Sequence, residues 1–105
     1  MPSDLDFTSQ ADSFMEEIFE QLTAFDPDEL DPDLAMGVLT MEFSNGSKAI
    51  MNRQTAAHQI WLASGATAWH FAFEDGAWRD TKGRGEIRTV LAEILAGRLG
   101  RPVAL

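Results

Sequence analysis

The side chains here that could do chemistry are carboxylates, and they come in a pattern. Asp12, Glu16 and Glu20 recur at i, i+4 and i+8, which stacks them on one face of a helix, with Glu17 on its flank. Asp26, Asp28, Glu29, Asp31 and Asp33 carry the acidic run onward. Like charges four residues apart destabilise a helix by roughly 0.2–0.5 kcal/mol per pair. No Lys or Arg precedes Lys48 to relieve them. Carboxylate oxygens are hard ligands suited to iron(II), manganese, calcium or magnesium. An open carboxylate surface would hold such ions loosely, with water completing the shell. The competing reading is a solvated face that keeps the chain soluble. Composition alone favours it, and the missing bases weigh against it. A calcium loop starting at Asp26 fails, because its sixth and twelfth positions are Asp31 and Val38, where glycine and glutamate are required.

Other chemistry finds little support. The chain has no cysteine, so disulfides, thiolate metal sites and cysteine nucleophiles are excluded. Its two histidines, His58 and His70, have no matched serine nearby. The acids sit on an exposed surface, where a raised-pKa general acid is not expected. A di-iron oxidase would carry Glu-x-x-His pairs on its helices, and none is present. The chain is therefore expected not to be an enzyme.

The formal net charge of −9 argues against nucleic acid and anionic membranes. It favours cations or basic protein surfaces as partners. No apolar run approaches the ~20 residues of a membrane span. The start Met1-Pro2-Ser3-Asp4-Leu5-Asp6 reads as neither a secretory signal nor a transit peptide. A cytoplasmic location is the expectation.

These residues need elements to position them. Phe7, Ala11, Phe14, Ile18, Leu22 and Phe25 recur at helical spacing, and Pro27 is expected to end that helix. Asp26 to Asp33 reads as a loop by composition. Strands follow over Val38–Phe43 and Lys48–Asn52 around an Asn45-Gly46 turn, then over His58–Ala63, Ala68–Phe73 and Ala77–Asp80, the last two around Asp75-Gly76. Ile87, Val90, Leu91, Ile94, Leu95 and Leu99 mark a second helix. The order predicts an α+β two-layer sandwich with a five- or six-stranded antiparallel sheet between two helices, in a single domain over residues 1–105. Both helices have one apolar stripe, so both should cover the same sheet face.

Strand parity then divides the sheet. Leu39, Met41, Phe43, Ile60, Leu62, Trp69, Phe71 and Phe73 are predicted to face the helices. Thr40, Glu42, Asn52, Gln54, Gln59, Trp61 and His70 are predicted on the open face. A tryptophan among amides on an uncovered sheet is a typical binding anchor. A lone surface tryptophan is the competing reading.

Gly37-Val38-Leu39-Thr40, Phe43 to Ser47, Asn52-Arg53-Gln54, and His58-Gln59-Ile60-Trp61-Leu62-Ala63 resemble the frataxin signature. Trp69-His70-Phe71 and the stretch from Trp78 to Gly83 continue the resemblance over nearly the whole chain. It is to the bacterial, CyaY-type frataxins in particular. The resemblance implies a helix–sheet–helix fold with two working surfaces. One is an acidic ridge that binds iron weakly as Fe2+ or Fe3+, mapping here to Glu16, Glu17, Glu20, Asp26, Asp28, Glu29, Asp31 and Asp33. The other is the sheet face around Asn52, Gln54, Gln59 and Trp61, which meets the iron–sulfur cluster assembly machinery. The implied partners are the cysteine desulfurase, whose basic patch the ridge docks on, and the scaffold protein. The implied state is a monomer without iron that oligomerises with it. A metal-independent acidic interaction or inhibitor protein is the alternative. The chain departs from the family pattern in having Thr55, Ala56 and Ala57 where a proline is usual. Thr23 and Ala24 stand where related sequences tend to carry acids, and Thr8 lies near a position that can hold a metal-binding histidine.

Overall fold

Ser3 starts the first helix, α1 (Asp4–Leu22). Its hydroxyl accepts from the Asp6 amide at 3.1 Å, and the Asp6 carboxylate accepts from the Ser3 amide at 3.4 Å. This reciprocal cap satisfies donors that a helix start leaves over. The computed structural model describes residues 3–105, so the reading of Met1-Pro2 within the N-terminal leader test lies outside the described residues.

Helix α1 buries Phe7, Ala11, Met15, Ile18 and Leu22. Met15 thus takes the place expected for Phe14, which lies half-buried on the flank. The helix also stops earlier than Pro27. The Thr23 amide donates to the Phe19 carbonyl, and the Thr23 hydroxyl donates to the Glu20 carbonyl at 2.6 Å. Asp26–Glu29 then makes a turn of its own. Its Asp26 carboxylate accepts from the Asp28 amide at 2.9 Å.

The expected loop ends there. Leu30–Ala35 is a strand, β1, pairing antiparallel with β2 (Val38–Phe43). Its proline and two aspartates mimic a loop, yet Leu30, Pro32 and Leu34 alternate with Asp31, Asp33 and Ala35, and the first three turn inward. Pro32 is tolerated because β1 is an edge strand, where a missing amide leaves no ladder bond unmade. The meander continues through β3 (Lys48–Gln54), β4 (Gln59–Ser64), β5 (Thr67–Glu74) and β6 (Ala77–Asp80), in sheet order β1-β2-β3-β4-β5-β6. A single 3-10 turn, Thr55–Ala57, links β3 to β4 and ends at His58, whose φ is +52°. Helix α2 (Ile87–Leu99) begins where the Glu86 side chain accepts from the amides of Arg88 and Thr89. It closes on Gly100 in the left-handed region.

Both helices cover one sheet face. Leu39, Met41, Phe43, Ala49, Met51, Ile60, Leu62, Phe71 and Trp78 meet the helical residues in one core. Two residues of the inward parity depart from expectation. Trp69 is only half-buried and lies under the Arg84 guanidinium, 5.5 Å from the ring centre. Phe73 is 44% exposed, because it borders an open groove shared with Phe14 of α1, Trp78 of β6 and Arg88 of α2.

Candidate functional site

The open sheet face is built by cross-strand register. Directly opposed residues of antiparallel strands share a face. One row therefore runs Ala35, Val38, Asn52, Trp61, His70 from β1 to β5. A second runs Gln54, Gln59, Ala72, Arg79. A third runs Asp33, Thr40, Ile50, Ala63, Ala68. All seven residues predicted for this face lie on it.

Its polar groups are tied to one another. The Trp61 indole N–H donates to Gln59 Oε1 at 2.8 Å, and Gln54 Nε2 donates to Asn52 Oδ1 at 2.6 Å. The His70 ring stacks on the Trp61 indole at 4.3 Å between centroids and 15° between planes. This fixes a half-buried aromatic plate, flanked by amides and by the exposed side chains of Val38 and Ile50. Amides plus an ordered aromatic offer a partner hydrogen bonds and apolar area together. The stacking of His70 on Trp61 was missed in the sequence, although their identical parity was visible.

The acids form a continuous border to that face. Asp31 pairs with Glu42 and Asp33 with Thr40, so both aspartates belong to the open side of β1. Glu16 and Glu20 are exposed on α1, which packs along β1. Asp26 and Asp28 lie in the exposed turn between the two elements. The two surfaces expected separately thus share one edge of the sheet.

The ridge is not free of positive charge. Asp12 is paired with Arg53, Glu17 with Arg88 at 2.5 Å, and Glu29 with Arg101 at 2.6 Å. These arginines lie 41, 71 and 72 residues downstream, so local sequence gave no sign of them. The expectation that nothing relieves the acids is corrected for these three. Hydrogen bonding from Arg101 is the main cause that holds the Glu29 carboxyl below the usual glutamate range. Glu16, Glu20, Asp26, Asp28, Asp31 and Asp33 have no basic partner among the described residues. Among those residues no three carboxylate or imidazole groups converge into a ready metal cage. The six unpaired acids are all-oxygen, exposed donors, which fits a labile hard cation held partly by water and does not fit a tight structural metal.

The Asp80 carboxylate sits at the other edge. It is buried and accepts from the Arg84 amide and guanidinium at 3.0 and 2.8 Å. Arg84 also donates to the Ala68 carbonyl, and the Thr81 amide donates to the His70 carbonyl. This loop pins the β5 end of the open face.

Comparison with known proteins places this architecture. A family model described as a frataxin-like domain matches residues 2–101. The "Iron-sulfur cluster assembly protein CyaY" of Paraburkholderia phymatum is 35% identical over 103 residues, covering 98% of this chain and 97% of its own length. The protein of the same name from Burkholderia mallei is 35% identical over 104 residues, covering 97% of this chain and 96% of its own. Among solved structures, the frataxin of Psychromonas ingrahamii superposes with a TM-score of 0.87 at 31% identity, covering 99% of this chain and 97% of that one. A trimeric frataxin from Saccharomyces cerevisiae, complexed with ferrous iron, superposes with a TM-score of 0.73 at 26% identity over 87% of this chain and 86% of that one. Two helices on one face of a six-stranded meander, with an acidic edge and an open amide–aromatic face, are the class that fold and site define. The chain belongs to the frataxin family, among its bacterial CyaY members.

Proposed function

We propose that this protein serves iron–sulfur cluster assembly as an iron-binding partner and regulator, not as an enzyme. Iron is its cargo, held weakly at the unpaired carboxylates Glu16, Glu20, Asp26, Asp28, Asp31 and Asp33. Asp12, Glu17 and Glu29 reach it only by giving up their arginines. The same ridge docks on a basic surface of the cysteine desulfurase, where charge complementarity speeds encounter. The face of Asn52, Gln54, Gln59 and Trp61 meets the scaffold or its complex with the desulfurase. The protein works in the cytoplasm as a monomer and associates further when loaded with iron. The observation that carries this reading is the shared edge. Asp31 and Asp33 border the row of Asn52, Trp61 and His70, so one approach engages ridge and face together.

The test is a reconstituted assembly reaction containing desulfurase, scaffold, cysteine and iron(II), in which cluster formation is followed with and without this protein. Glu16→Gln/Glu20→Gln/Asp31→Asn/Asp33→Asn and, separately, Trp61→Ala should each abolish its effect on the rate. An effect that survives Trp61→Ala and vanishes only with the ridge would instead identify a metal-independent acidic mimic.

A further inference from the structure

Arg101 is held unusually for a tail residue. Its guanidinium donates both Nη groups to the two oxygens of Glu29, at 2.6 and 2.8 Å. It also lies over the Phe25 ring, 6.0 Å from the centroid. A carboxylate fork beside an aromatic face is the geometry that selects a guanidinium over an ammonium. Glu29 and Phe25 therefore form a built guanidinium site, placed in the turn that joins α1 to β1, in the middle of the acidic ridge.

The occupant is replaceable. Helix α2 is already closed by Gly100, whose amide donates to the Ala96 carbonyl, so the helix does not need Arg101. Residues 101–105 form no helix or strand. Apart from Arg101, the tail is anchored by Val103 and Leu105, each only half-buried. A groove of about 410 Å³ separates it from Ala92 and Ala96 of α2. Arg101 and Glu29 keep 47% and 39% of their side-chain surface, so an incoming group can reach both. The other two ridge pairs differ, because Arg53 lies in β3 and Arg88 in α2.

We propose that the Glu29–Phe25 site is an arginine-docking site, self-occupied by Arg101 in the free protein. An arginine side chain of a basic protein partner takes it over and displaces the tail from Arg101 to Leu105. This rests on the docking role given to the ridge above and names the group that role would recognise. The tail then acts as an internal competitor that weakens docking and reports it.

The experiment titrates isotope-labelled protein, with backbone amide and side-chain methyl signals both followed, with a hexa-arginine peptide and with its hexa-lysine counterpart, at low salt. Wild type, Arg101→Met and Glu29→Gln are compared, with the dispersion of core methyl signals as the folding control. The arginine peptide should shift the Val103 and Leu105 methyls in the wild type. Arg101→Met should bind it about two- to fivefold tighter, the range expected when an exposed competing ion pair is removed. Glu29→Gln should abolish the preference for arginine over lysine. If Glu16 and Glu20 signals move while the Val103 and Leu105 methyls stay still, or if Arg101→Met binds no tighter, the self-occupied site is refuted and the docking ridge survives. If neither peptide moves any ridge signal, the docking reading falls as well.

Discussion

Replacing Asp80 by asparagine removes one negative charge from a buried position and leaves its shape almost unchanged. Hydrogen bonding from the Arg84 side chain is the main cause that lowers the Asp80 pKa from 3.8 to about 2. At about 1.36 kcal/mol per pH unit, that difference corresponds to about 2 kcal/mol of native stability at neutral pH. Arg84 is 36% exposed, so solvent screening reduces the expected loss to about 1–2 kcal/mol. In a domain of this size that lowers Tm by roughly 5–15 °C. The folded value lies below the unfolded one. The contribution is therefore complete above 3.8 and is lost as pH falls from 3.8 towards 2. Urea unfolding of wild type and Asp80→Asn at a series of pH values reads this directly. The gap between them should be constant from neutral pH down to about pH 4 and close below it. A gap that persists unchanged into the acid range, or that is absent at pH 7, would refute the ion-pair account of Asp80.

Two further substitutions probe how α1 is set against the sheet. A Cβ at Gly37 would lie 2.9 Å from Arg53 Cζ, at a φ of +77°, so Gly37→Ala should cost about 1–2 kcal/mol and lower Tm, read by calorimetry. Ser3→Ala removes the hydroxyl that caps α1 and should cost about 1 kcal/mol in chemical denaturation, with Ser3→Asp restoring most of it.

The sheet was legible because period-two patterning and Asn-Gly or Asp-Gly turns are local signals. Leu39, Met41 and Phe43 could be set against Thr40 and Glu42 with no knowledge of their neighbours, and the open-face residues followed from the same parity. The edge strand β1 was hidden, because Asp31, Pro32 and Asp33 have loop chemistry and only an edge position admits them. Helix α1 ended early for a reason of the same kind. The Thr23 hydroxyl bonds back to Glu20, and that competes with the apolar periodicity that ran on to Phe25. The acids of the ridge were readable as a pattern of charge. Their pairing was not, since Arg53, Arg88 and Arg101 return to Asp12, Glu17 and Glu29 only through tertiary folding. Those pairs separate six available carboxylates from three that are already engaged.

The acidic ridge is proposed to dock on the cysteine desulfurase alongside the open sheet face. The most direct measurement is an NMR titration of isotope-labelled protein with the desulfurase of its own organism, first at low salt and then at physiological salt. Amide signals of Glu16, Glu20 and Asp26–Asp33 should shift or broaden at micromolar desulfurase and recover as salt is added, since exposed charges are screened beyond about 10 Å at 0.1 M. Spectra that stay unchanged at low salt would contradict the account.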